Sequence, residues 1–84
     1  PKHLCVDLDG NIIIADAESN LVRKYVVADG KILRVAGTGT KGAAGLDGPP
    51  EKAGVARPHG VTVHPSGVLY IADSYNHRIV RIEK

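Results

Sequence analysis

Apolar and polar positions alternate at a spacing near two along most of this chain. That period belongs to strands, and no stretch shows the 3.6-residue recurrence of an amphipathic helix. The strand-like runs are Leu4–Leu8, "NIIIA" (residues 11–15), "LVRKYVV" (21–27) and "KILRVAG" (31–37), then Val61–His64, "VLYIA" (68–72) and "RIVRIEK" (78–84). Gly10 and Gly67 fall in the tight turns "DLDGN" and "HPSGV", which call for a residue free to take positive φ. Asp29-Gly30 is a hairpin signal joining the third run to the fourth. "NIIIA" and "VLYIA" are nearly all apolar and rich in β-branched residues, the pattern of a strand packed on both faces. The spacing predicts an all-β fold of seven antiparallel strands, four and then three, with no helix.

The runs repeat. Shifted by 57 positions, "PKHLCVDLDGNIIIADAESNLVRKY" falls without a gap on "PHGVTVHPSGVLYIADSYNHRIVRI". Pro1 meets Pro58, Val6 meets Val63, Gly10 meets Gly67, and Ile14-Ala15-Asp16 meets Ile71-Ala72-Asp73. Leu4, Ile12 and Val22 meet Val61, Leu69 and Ile79, aliphatic for aliphatic. One structural unit is therefore written twice. The chain divides into a first unit, residues 1–36, a Gly/Pro-rich loop, 37–57, and a second unit, 58–84, which stops before a fourth strand.

Composition adds little. With 84 residues, 43% hydrophobic and 24% charged, the chain reads as one small globular domain or a piece of one. No apolar run approaches the roughly 20 residues that cross a bilayer, so no membrane partner is expected. Lys2 and His3 lead straight into a strand-like run without the apolar core of a signal peptide, and the compartment is left open. The single cysteine, Cys5, lies in the apolar run "HLCVDL" and is read as a small buried hydrophobe. A net charge of +2 is too small to argue for nucleic acid.

The runs P-x-G-V-x-V, G-x-L-Y-I-A-D and N-x-R-I-x-R-I in "RPHGVTVHPSGVLYIADSYNHRIVRI", and the weaker first copy, resemble NHL-repeat β-propellers. The segment "RVAGTGTKGAAGLDGPPEKAGVARP" also resembles the inter-blade stretch of bacterial members. The resemblance implies four-stranded antiparallel blades around a central channel, commonly six per ring. Residues 1–36 are then a first blade and 58–84 a second blade lacking its outer strand. The first copy departs from the pattern: Ser19 stands where Asn76 does, Leu21 where Arg78 does, and His3 where Gly60 does. Roles tied to those side chains do not carry over to it.

Gly37-Thr38-Gly39-Thr40-Lys41-Gly42 matches G-x-G-x-x-G, the fingerprint of a dinucleotide loop. Such a loop needs a helix after it, to set its N-terminus against the pyrophosphate. Here "AAGLDGPPEKAG" follows, with glycines and a double proline where a helix would run. The glycines are read instead as the exit from an outer strand toward the next inner one.

In an antiparallel meander the turns Asp16–Asn20 and Asp73–His77 share one end with the 37–57 crossover. That end carries Lys41, Asp47, Glu51, Lys52, Arg57, His59, Tyr75, Asn76 and His77, and it is the candidate binding face, because loops on a rigid scaffold carry function. Asp16 and Asp73 end a strand and open a turn, and are assigned a structural role, accepting hydrogen bonds from turn N–H groups. Asn76 is assigned to the same turn through its tolerance of the left-handed region. The position of His59, after Pro58, resembles the zinc-ligand position of amidating-lyase propellers; the matching first-copy residue is Lys2, with His3 one step off. One histidine is short of the three ligands zinc wants, so no metal and no cofactor is assigned.

No nucleophile–base pair, acidic dyad or ligand cluster is visible. The chain is therefore expected to be a non-enzymatic propeller module, a scaffold binding a protein or small ligand. Its ring would be completed by further copies, three for six blades, or by the remainder of a longer propeller. Two alternatives stay open: a piece of a propeller lyase or hydrolase with a metal or acid/base site near the channel, and an RNA-binding NHL module. Nucleic acid is disfavoured because three tyrosines, with no Phe or Trp, offer few stacking platforms.

Overall fold

The computed structural model describes residues 3–43, 45 and 48–83, except for the side chain of Glu51. Seven strands appear in chain order: β1 (His3–Val6), β2 (Ile12–Asp16), β3 (Leu21–Val26), β4 (Lys31–Ala36), β5 (Gly60–Val63), β6 (Leu69–Asp73) and β7 (Arg78–Ile82). They form two antiparallel meanders, β1-β2-β3-β4 and β5-β6-β7. There is no α-helix among the described residues, but three single 3-10 turns occur, at Ala17–Ser19, Pro50–Lys52 and Ser74–Asn76. Strands β2, β5 and β6 keep the lengths of their sequence runs, β3 and β4 each end one residue early, and the first strand is also shorter. It stops at Val6, because Asp7 Oδ1 accepts hydrogen bonds from the Asp9 and Asn11 N–H groups and turns the chain. Leu8 then lies in the turn, 53% exposed.

Registers in the two sheets follow the repeat. Leu4 faces Ile14 and Val61 faces Ile71, each pair 57 residues from its counterpart. The turns into the second strands are also alike, with Gly10 at φ 82 and Gly67 at φ 95. Where Asp7 caps the first of these turns, His64 does so in the second, its Nδ1 accepting the Ser66 N–H at 3.1 Å.

The core lies between the sheets, built from Ile13, Ala15, Val22 and Ala36 on one side and Val61, Leu69 and Ile71 on the other. Both second strands bury one face rather than two. β2 buries Ile13 and Ala15 and leaves Ile12 and Ile14 half-buried, while β6 buries Leu69, Ile71 and Asp73 and leaves Tyr70 and Ala72 half-buried. The outward faces are uncovered in a single chain: Leu4, Val6 and Ile32 are 59%, 60% and 59% exposed on the first sheet, and Ile79 is 68% exposed on the second. Strands β1 and β5 meet where the Val61 N–H donates to Nδ1 of His3, at 3.1 Å.

The crossover leaves β4 at Gly37, whose φ of 94 suits glycine. A Cβ there would stand 2.5 Å from the Asn20 carbonyl oxygen and 3.0 Å from Cγ2 of Val55. The crossover then returns through buried Ala53, Val55 and Ala56 into β5.

Candidate functional site

Three hydrogen bonds draw the two inter-strand turns and the crossover to one end of the sheets. The Tyr75 N–H donates to the Ala56 carbonyl at 3.1 Å. The Asn76 side-chain amide donates to the Gly42 carbonyl at 2.7 Å. The Arg57 N–H donates to Oδ1 of Asn20 at 2.9 Å.

Asp73 organises this end. It is fully buried. Its Oδ1 accepts the Ala56 N–H at 2.7 Å, and its Oδ2 accepts the Asn76 amide at 2.9 Å and Nε of Arg78 at 2.7 Å. Arg78 extends the network by donating Nη2 to the Gly54 carbonyl at 3.1 Å. A buried carboxylate is tolerated when a cation and further donors satisfy it, as here. The donors differ from the turn N–H groups assigned from sequence: Asp73 accepts no hydrogen bond from the backbone of its own turn and instead clamps the crossover. Asn76 is corrected as well. The left-handed residue is His77, at φ 54, and Asn76 acts through its side chain.

In the first copy Asp16 pairs with Arg23 at 3.3 Å, since Leu21 takes the place of Arg78. Asn20, equivalent to His77 and equally left-handed at φ 54, closes the Ala17–Ser19 turn and holds Arg57. Sequence reasoning missed this part for Asn20; its alignment with His77 gives no hint that the amide reaches across 37 residues. It also missed His3 as the link between β1 and β5.

Around Tyr75, which is 53% exposed, three of the candidate side chains converge. Nζ of Lys41 lies 5.1 Å from the ring centroid and the Arg57 guanidinium carbon 5.5 Å from it. The His59 ring meets it edge-on, with centroids 6.1 Å apart and planes at 89°. Cation–π contacts of this kind contribute about 0.5–1 kcal/mol each at exposed sites. His77 is exposed, and Lys52 ends the 3-10 turn of the crossover. Lys2, Asp47 and the Glu51 side chain lie outside the described residues. Among the described residues no three His, Cys, Asp or Glu side chains gather as a metal cluster.

The opposite end holds a cleft of about 230 Å³ between the sheets, lined by Asp7, Lys24, Ile13, Val63 and Leu69 among others. Asp7 pairs with Lys24 at 3.2 Å. Burial opposes ionisation of Asp7, but hydrogen bonds from the Asn11 N–H, Lys24 and the Asp9 N–H, and the ammonium charge of Lys24, outweigh it and hold the carboxyl below its usual range. Burial, with the Asp7 charge, pushes the Cys5 thiol up against an opposing backbone hydrogen bond at Val63.

Stacked four- and three-stranded antiparallel meanders joined by a crossover define a repeat protein of sheet units. The family model for the NHL repeat matches residues 55–82, and the chain carries an NHL repeat there. A search of curated proteins found no match. An NHL repeat suggests a propeller-type binding scaffold.

Proposed function

We propose that the two sheets are two blades of an NHL-type propeller, a non-enzymatic scaffold that closes its ring with further copies of the chain and binds ligands at the Tyr75 end. One observation carries the assembly. The face that β2 buries against the second sheet, Ile13 and Ala15, corresponds under the 57-residue shift to Tyr70 and Ala72, on the uncovered face of β6. The face that β6 buries, Leu69 and Ile71, corresponds to Ile12 and Ile14, on the uncovered face of β2. Each uncovered face is thus the sequence relative of a surface already buried in the chain, and the two are relatives of the two sides of one interface.

Joining the uncovered faces of successive copies repeats the internal contact. Such head-to-tail contacts close into rings when the rotation permits. Large uncovered apolar faces mark interaction sites, and ring closure also removes free sheet edges. Three copies would give the six blades common among such rings. The test is the mass of the chain in solution by light scattering or sedimentation. A mass of three chains supports the proposal, and a stable, cooperatively unfolding single chain overturns it.

A further inference from the structure

Among the described residues three non-glycine positions have positive φ. Asn20 and His77 are equivalent in the repeat, and each closes a 3-10 turn. Arg57, at φ 46, closes none. A long side chain in the left-handed region is held against a steric cost, and such outliers collect at functional positions. The same crossover has glycine at other left-handed positions, Gly37, Gly39 and Gly45. At 57 a guanidinium is kept instead, and it lies 5.5 Å from the Tyr75 ring, with the Lys41 ammonium at 5.1 Å.

Among the described residues the charges around this ring are unbalanced. Among the described residues, ion pairs join Arg23 to Asp16, Lys24 to Asp7, Arg78 to Asp73 and Arg81 to Glu83. Neither Lys41 nor Arg57 has a carboxylate partner among them. The backbones that present these side chains are fixed: Arg57 by Asn20, Tyr75 by Ala56, and Gly42, next to Lys41, by Asn76. Two cations held ready beside a half-exposed phenol ring are preorganised for an anion.

We propose that Arg57, Lys41 and Tyr75 form a binding site for the carboxylate side chains of an acidic peptide segment. This rests on the reading of the Tyr75 end as the scaffold's binding face and deepens it. The planar fork of Arg57 suits a carboxylate, with Lys41 as a second, adjustable charge. Single-stranded nucleic acid would want a row of open aromatic platforms. Here Tyr75 is flanked by two cations and His59, Tyr25 and Tyr70 lie within β3 and β6, and there is no Phe or Trp.

The test is an NMR titration of the ¹⁵N-labelled chain with hexaglutamate, alongside hexalysine, inorganic phosphate and oligouridylate. Hexaglutamate is expected to shift the amides of Lys41, Arg57 and Tyr75 saturably, and the other three probes to leave them unmoved at the same concentration. Arg57→Gly, which relieves the left-handed backbone and so keeps the fold, and Lys41→Gln, on an exposed loop, should each weaken binding about fivefold. Unchanged affinity in both variants, shifts scattered over the surface, or equal saturation by phosphate or oligouridylate would overturn the proposal. Solution mass measured on the same samples separates the two readings. A trimer indifferent to hexaglutamate sinks only the acidic ligand, and a monomer that binds it sinks only the assembly.

Discussion

The Asp73 carboxylate is shut off from solvent, and its Oδ2 lies 2.7 Å from Nε of Arg78. Its Oδ1 at the same time anchors the Ala56 N–H, 17 residues back in the chain. One side chain thus ties the turn after β6, the start of β7 and the crossover into a single body. Removing one partner of a buried pair leaves the other charge without compensation, at a cost of about 3–5 kcal/mol. Asp73→Ala should lower unfolding free energy by that amount in urea titrations. Asp16→Asn, at the equivalent place but paired with a more exposed Arg23, should cost about 1 kcal/mol or less. Equal losses at the two positions would contradict the asymmetry.

Gly37 is a second point of no tolerance. Its would-be Cβ meets the backbone oxygen of Asn20, which cannot step aside as a side chain end could. Gly37→Ala should cost about 1–3 kcal/mol through overpacking, on top of left-handed strain. Gly39, at φ 90 but with open space around it, should show the strain alone, about 1 kcal/mol. Thermal unfolding of the two variants, compared with wild type, separates the terms.

Strand number, strand order and the twofold repeat were legible in the sequence, because alternation and turn chemistry are local signals. Period two marks "VLYIA", and Asp29-Gly30 marks the β3–β4 hairpin. The end of β1 was not legible to the residue, since it depends on a side chain, Asp7, competing for the backbone. The apolar run of β2 predicts cover on both faces; a single chain provides it on one, because cover is a property of neighbours and not of the strand. The site was legible as a set of loops sharing an end. Its wiring was not: Asn20 to Arg57 and Asp73 to Ala56 are contacts between distant segments, and no spacing rule encodes them.

Asp7 contributes stability that acid removes. Its carboxyl titrates below the usual range in the folded chain, so the folded state binds a proton less readily than the unfolded one. The resulting stability is fully present above the unfolded value, about 3.9, and is lost as pH falls through the lower folded value. Denaturant midpoints should therefore drop below about pH 4, and Asp7→Asn should flatten that drop while lowering stability at neutral pH. An unchanged acid profile in the variant would assign the loss to other carboxylates.

The two uncovered faces allow a sharper test of assembly than mass alone. Ile79, 68% exposed, belongs to the free face of the second sheet, and Leu4, 59% exposed, to that of the first. Glutamate at either place should change the stability of the single chain by no more than about 0.5 kcal/mol, because neither side chain is buried within it. In a head-to-tail ring each variant retains one competent face and loses the other. Ile79→Glu alone and Leu4→Glu alone should then be monomers. Mixed, the intact first-sheet face of the Ile79 variant should meet the intact second-sheet face of the Leu4 variant, giving a one-to-one dimer that grows no further. A self-complementary interface, in which one patch meets its own copy, predicts the reverse: the variant altered outside the patch would still associate by itself, and mixing would add nothing. Sedimentation of the two variants apart and together distinguishes these outcomes.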